Sequence, residues 1–255
     1  MRFKILLSYD GSAFCGWQVQ PNAESVQGTL QKALSILTGG DVTVTGAGRT
    51  DTAVNAIGYC AHFDTDDSLE ADWLCYKLNA ILPSTICVHG VEAVAEDFHA
   101  RFDAVSRSYM YFVHRVKDPF MEARSYRCPY PLDVDAMNRA AEKLLGTRDF
   151  SCFEKTGGNN RTSICTVTHA RWETYTPDHV RMMGFDAPEG SYLVFRISAD
   201  RFLRNMVRAV TGTLIDIGRG RRPVEWMDAV LASRDRCAAG ESVPGHALFL
   251  TEVRY

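Results

Sequence analysis

The stretch Gly46-Ala47-Gly48-Arg49-Thr50-Asp51-Thr52 sets a carboxylate two residues beyond a guanidinium, in a glycine-bearing segment between two predicted strands. It is not a phosphate loop, because the Walker pattern ends in Gly-Lys-Ser/Thr and the dinucleotide fingerprint needs a third glycine opening a helix. Spacing alone leaves two readings open. Asp51 is either the capping residue of a tight glycine turn, or a carboxylate nucleophile kept ionised by Coulomb attraction to Arg49.

A second pattern is Arg201-Phe202-Leu203-Arg204-Asn205-Met206-Val207-Arg208. The spacing predicts a helix over 201–217, with Arg201, Arg204 and Arg208 in a stripe about 60° wide and Phe202, Met206, Val210, Leu214 and Ile217 on the opposite side. Such a stripe is either the solvated face of a surface helix or an arginine row lining a groove, where one member meets Asp51 and others meet phosphates. The third pattern is the aromatic-rich run Arg107-Ser108-Tyr109-Met110-Tyr111-Phe112, preceded by Phe98-His99-Ala100-Arg101-Phe102. Strand alternation puts Arg107, Tyr109 and Tyr111 on one face, which reads as core or as a platform for an unstacked base. Trp17, in Phe14-Cys15-Gly16-Trp17-Gln18, reads as a packed loop anchor.

The charge distribution separates these readings further than the total does. A net of −3 over 255 residues argues weakly against a polyanionic partner. Yet residues 1–100 hold 5 Lys+Arg against 12 Asp+Glu, a net of −7, while residues 101–255 hold 23 against 19, a net of +4. Residues 196–222 alone carry Arg196, Arg201, Arg204, Arg208, Arg219, Arg221 and Arg222 against Asp200 and Asp216. Of the 28 cationic residues 22 are arginine, whose planar fork suits phosphate and base surfaces; a GC-rich genome gives the same bias.

Hydrophobic residues at 46% and charged residues at 23% place the chain with soluble globular proteins and away from disorder, collagen and coiled coil. No apolar run approaches the roughly 18 residues of a membrane span, and Ile5-Leu6-Leu7 is too short for a signal-peptide core, so a cytoplasmic protein is expected. Cysteines 15, 60, 75, 87, 128, 152, 165 and 237 form no C-x-x-C pair. Reduced, mostly buried thiols are expected, with no metal and no cofactor.

Elements able to hold these residues follow from periodicity. Phe3, Ile5, Leu7 and Tyr9 alternate as a strand; Val26, Leu30, Ala33, Leu34 and Leu37 repeat as a helix after Ser25, ended by Gly39-Gly40. Strands near 42–46 and 55–64, a helix near 70–81 with Leu74, Leu78 and Ile81 on one face, and a strand from Ile86 complete a β-α-β-β-α-β order. The order returns with a strand at 105–116, a helix from Asp133 to Gly146, strands within 161–175 and at 191–199, the 201–217 helix and a last strand at 247–254. One extra helix starts at Pro223. The pattern implies an α+β fold of two ferredoxin-like halves, 1–104 and 105–255, each an antiparallel sheet with helices on it, joined as a continuous sheet around a central groove.

Taken together these stretches resemble the tRNA pseudouridine synthase A family, from the first strand to the last residue. Tyr9-Asp10-Gly11-Ser12 through Gly16-Trp17-Gln18 and Val26-Gln27-Gly28 is similar to the family's opening, and Gly48-Arg49-Thr50-Asp51 to its catalytic loop. Asp97-Phe98-His99-Ala100-Arg101-Phe102 with Arg107-Ser108-Tyr109 is similar to its middle motif, and Phe202-Leu203 with Met206-Val207-Arg208 to its arginine-bearing helix. Leu248, Leu250, Val253 and Tyr255 are similar to its terminal strand.

The resemblance implies a catalytic group of Asp51 as nucleophile in the Arg49-bearing loop, Tyr109 stacked on the target uracil, and Arg208 as the salt-bridge partner of Asp51. It also implies that Leu248 walls the uracil pocket. From the arginine-rich run itself, Arg201, Arg204, Arg219, Arg221 and Arg222 are expected to touch phosphates, and Arg107 on the aromatic strand to contact the RNA. The implied substrate is uridine 38, 39 or 40 in the tRNA anticodon stem-loop, and the implied enzyme is a homodimer that needs no cofactor. The chain departs from the family pattern after the nucleophile, with Thr52-Ala53-Val54-Asn55 where Ala-Gly-Val-His is usual, and Ala247 where Gly is usual. If the replaced glycine has positive φ, Ala53 costs on the order of 1 kcal/mol or shifts the loop. Asn55 keeps a polar group without titrating near neutrality.

Overall fold

Phe3, Ile5, Leu7 and Tyr9 are buried and their neighbours less so along β1 (Arg2–Tyr9), the period of two that turns one strand face to a core. In the computed structural model, which describes residues 1–66, 69–157 and 161–255, β1 lies in the first of two compact units. That unit is Met1–Arg107 with Phe249–Tyr255, and the second is Ser108–Leu248.

In the first unit, β1 is followed by α1 (Val26–Thr38), β2 (Val44–Gly46), β3 (Asn55–Asp64), α2 (Ala71–Ile81) and β4 (Ile86–Val94). The antiparallel order β4-β1-β3, with β2 on the far end of β3, is that of a ferredoxin-like unit. Ser25 caps α1 by accepting the Gly28 N–H, and Gly39 at φ 72° closes it. Leu74 and Leu78 of α2 are buried, but Ile81 in the last turn is exposed. The strand β10 (Leu248–Arg254) runs parallel to β3, with Phe249 opposite Asn55 and Leu250 opposite Ala56. Phe3 stacked on Phe63 anchors the core.

The second unit contains β5 (Ser106–His114), β6 (Tyr126–Arg127), α3 (Val134–Glu142), β7 (Gly146–Asp149), β8 (Ile164–Thr174), α4 (Asp178–Met183), β9 (Tyr192–Ala199), α5 (Met206–Gly218) and α6 (Trp226–Ser233). Its strand order is β5-β9-β8-β7, and α3 packs on α5 and β8. Trp172 of β8 and Phe195 of β9 are buried and stack across the paired strands. The fold is therefore α+β with mostly antiparallel pairing, as the element order implies.

Three expectations need correction. The helix foreseen over 201–217 begins at Met206, because Asn205 takes a left-handed backbone, φ 67°, that a helix cannot continue through. Arg201 and Arg204 therefore stand in a loop and share no helical stripe with Arg208. The 133–146 helix ends at Glu142, and Gly146 at φ 91° leads into β7. All eight cysteines are free, but only Cys60, Cys128, Cys152 and Cys165 are buried. Among the described residues no helix is long and apolar enough to cross a membrane.

Candidate active site

Asp51 lies in the connection 47–54 between β2 and β3, and hydrogen bonds from neighbouring elements hold that connection. Ala47 N–H donates to the Cys60 carbonyl at 2.9 Å, which ties the start of the connection to β3. The Tyr59 hydroxyl donates to the Gly48 carbonyl, and the hydroxyls of Tyr9 and Thr50 share a buried hydrogen bond of 2.9 Å. Trp17 N–H donates to the Thr50 carbonyl at 3.2 Å, and Val54 N–H closes a turn on the Asp51 carbonyl at 3.1 Å. The Trp17 ring, 3% exposed, stacks on Tyr59 with centroids 4.1 Å apart. Trp17 is the packed anchor that its sequence context suggested.

Two glycines permit this closeness. A side chain at Gly16, φ 88°, would fall on the Thr50 carbonyl, and one at Gly46 would fall on the Tyr59 hydroxyl and the Trp17 ring. Tyr9, Gly16, Trp17 and Tyr59 thus explain why the opening motif and the Asp51 loop occur in one chain: the first is the seat of the second. Tyr9, Thr50 and Tyr59 escape a reading based on chemistry alone, since each acts on backbone or on another hydroxyl from a distance in sequence.

Within the loop Asp51 is half-buried and Arg49 exposed. Ala53 has φ 63°, in the left-handed region, so its methyl group is held there at a cost. Asn55, 2% exposed, accepts the Gly11 N–H through Oδ1 at 2.9 Å. Ala247 carries no such strain, having an ordinary negative φ in the short turn Gly245–Ala247.

Arg107 extends the support. Its guanidinium donates to the Ala47 carbonyl at 3.1 Å, to Arg101 at 2.7 Å and to Ala104 at 2.7 Å, so one side chain joins the middle motif to the start of the Asp51 loop. The motif is latched elsewhere too: Ala100 N–H donates to His62 Nδ1 at 3.1 Å, and the Tyr255 hydroxyl donates to the Ala100 carbonyl at 2.7 Å. Burial, with Arg2 nearby, holds the His62 imidazole below its ordinary pKa, which keeps Nδ1 an acceptor.

In the second unit Tyr109 is half-buried on β5 and meets Phe202 edge-on, with centroids 5.1 Å apart. Tyr111 is fully buried and its hydroxyl donates to the Pro244 carbonyl at 3.0 Å, which makes it core and not part of an exposed platform. Arg208, half-buried in the first turn of α5, donates from Nε to the Val243 carbonyl at 2.7 Å, and Val243 N–H donates back to the Arg208 carbonyl at 3.2 Å. Leu248 is buried at the start of β10; Arg201 is half-buried and Arg204 exposed. Among the described residues no group of three or more His, Cys, Asp or Glu side chains is placed to hold a metal ion.

A family model described as tRNA pseudouridine synthase matches residues 5–103 and 140–255. The chain belongs to the tRNA pseudouridine synthase family. It is 47% identical over its whole length to the tRNA pseudouridine synthase A of Bacteroides thetaiotaomicron, covering 90% of that protein. It is 44% identical to that of Parabacteroides distasonis, covering 96%, and 42% identical to that of Burkholderia thailandensis, covering 90%. The two spans matched by the tRNA pseudouridine synthase model include Asp51, Arg208 and Leu248, while Arg107 and Tyr109 fall between them. For a pseudouridine synthase, the network from Tyr9, Trp17, Tyr59 and Arg107 provides a stiff seat for one carboxylate-bearing turn.

Proposed function

We propose that this chain isomerises uridine to pseudouridine at positions 38, 39 and 40 of the tRNA anticodon stem-loop, with Asp51 as the nucleophile. The observation that carries this reading is the Gly48-Arg49-Thr50-Asp51 turn, held from β1, β3 and the Phe14–Trp17 loop in a member of the tRNA pseudouridine synthase family. In the reaction the bond from C1′ to N1 breaks, the uracil turns, C5 bonds to C1′, and the proton that leaves C5 is matched by one gained at N1. No atom is added or lost. A covalent adduct with Asp51 divides the change into easier steps, and a carboxylate that is already oriented avoids much of the entropic barrier.

The roles proposed for Tyr109, Arg208 and Leu248 are those that the family resemblance implies. Tyr109 stacks on the uracil and assists removal of the C5 proton, Arg208 pairs with the Asp51 carboxylate, and Leu248 gives the detached base an apolar wall. Arg201 and Arg204 hold the backbone of the flipped nucleotide, as an enzyme acting on a stacked base must do, and Arg107 supports the loop through Ala47. The enzyme works as a homodimer in the cytoplasm without a cofactor, and sedimentation at micromolar concentration is expected to give twice the chain mass. The reading is tested by mapping pseudouridine in tRNAs that carry a single uridine at 38, 39 or 40. Product at those positions supports it, and product only elsewhere in the tRNA contradicts it.

A further inference from the structure

The end of α5 carries a basic cavity separate from Asp51 in sequence and unused by the reaction above. It has a volume of about 810 Å³, and Arg219, Arg221 and Arg222 line it beside the apolar Pro131, Leu132, Pro223 and Val224. That volume lies within the range of small-molecule sites and far exceeds one phosphate.

The arginines are held in an unusual way. The Arg219 guanidinium stands 3.6 Å over the Tyr130 ring centroid, and that of Arg222 stands 5.1 Å over Trp226. A guanidinium held over a ring face is positioned by a contact that uses none of its N–H groups, which stay available to phosphate. Among the described residues no carboxylate pairs with Arg219 or Arg222. Arg221 is partly neutralised by Asp216 at 3.3 Å, and the carboxylate of Asp133, which also lines the cavity, accepts the Ala136 N–H as the cap of α3. The backbone around them is settled: Gly220 turns at φ 69°, and N–H groups of 219, 220 and 221 cap the last carbonyls of α5. The other lining residues contribute no side-chain amide or hydroxyl, so the chemistry offered is mainly cationic and suits phosphate.

We propose that this cavity binds a stretch of RNA backbone of the substrate tRNA, as an anchoring site outside the nucleotide being isomerised. The proposal rests on tRNA being the substrate but not on the assignment of Asp51. It is tested by fluorescence anisotropy with unmodified tRNA over a salt series, comparing the full-length protein with an Arg219→Ala/Arg222→Ala variant, an Arg219→Lys/Arg222→Lys variant and an Asp51→Asn control. Removal of two phosphate contacts is expected to weaken tRNA binding about tenfold at moderate salt and to lower the slope of log affinity against log salt by about 1.5. The lysine variant is expected to keep most of the slope and lose part of the affinity, and the loss in kcat/KM is expected in KM with kcat retained. Unchanged affinity and slope in a folded alanine variant overturn the proposal. So does binding of millimolar AMP or inorganic phosphate that depends on Arg219 and Arg222 while tRNA binding does not, since that marks a small-anion site. A weak-binding Asp51→Asn control would count against the active-site reading instead.

Discussion

Ala53 occupies a left-handed backbone next but one to the nucleophile, and glycine at that position removes the clash of Cβ with the backbone. Ala53→Gly is expected to stabilise the protein by up to about 1 kcal/mol, read as a higher thermal midpoint; a lower midpoint would show that the methyl group is packed to advantage. Asn55→Ala is expected to cost about 1–3 kcal/mol by leaving the buried Gly11 N–H without an acceptor, and Asn55→Asp to cost less. Denaturant unfolding of both variants checks this. The place of Asp51 between two strands was legible in the sequence, whereas a positive φ at Ala53 was foreseen only on the condition that the glycine it replaces has one. The role of Asn55 was not, because its partner lies 44 residues away and nothing local to either residue announces the bond.

At the scale of elements, the connection between β2 and β3 depends on groups carried by other strands. Tyr59→Phe removes the donor to the Gly48 carbonyl while keeping the ring stacked on Trp17. It is expected to lower kcat about tenfold with little change in KM, because a misplaced reactive group loses rate more than binding; equal changes in both would contradict a positioning role. The start of α5 makes a separate test. Asn205→Gly and Asn205→Ala both lose the hydrogen bond to Ser242, and Asn205→Ala is expected to cost about 1–2 kcal/mol more than Asn205→Gly from the left-handed backbone. Here periodicity misled: Phe202 and Leu203 continue the apolar spacing of α5, yet a single positive φ at Asn205 ends the helix. Short elements such as β7 and α4 span too few residues to establish a period, whereas β1 and α1 were plain from theirs.

At the scale of the whole molecule, two buried histidines link stability to pH. Burial lowers the pKa of His114, against the opposing pull of Glu122, and burial together with Arg2 lowers that of His62. Above about pH 6.5 both are neutral in the folded and the unfolded chain; below it the unfolded chain takes up protons that the native state resists. Stability is therefore expected to fall as the pH drops through and below about 6.5, and a His62→Gln/His114→Gln protein is expected to show a flatter profile in thermal melts. A further consequence of burial concerns the thiols. Cys152 and Cys165 are pushed up to about 12 by burial, so alkylation of the native protein near neutral pH is expected at Cys15, Cys87 and Cys237 instead. The lopsided charge and the β-α-β-β-α-β order were visible in the sequence. The return of the last strand to pair with β3 was not, because strand pairing over such a separation leaves no local trace.

The most direct test of Asp51 as the nucleophile is release of tritium from unmodified tRNA labelled at uracil C5, because C5 loses its hydrogen only when it becomes bonded to C1′. The wild-type protein is expected to release tritium, and Asp51→Asn to release none while binding tRNA with the parental affinity. Release by the Asn variant at the wild-type rate would contradict the assignment.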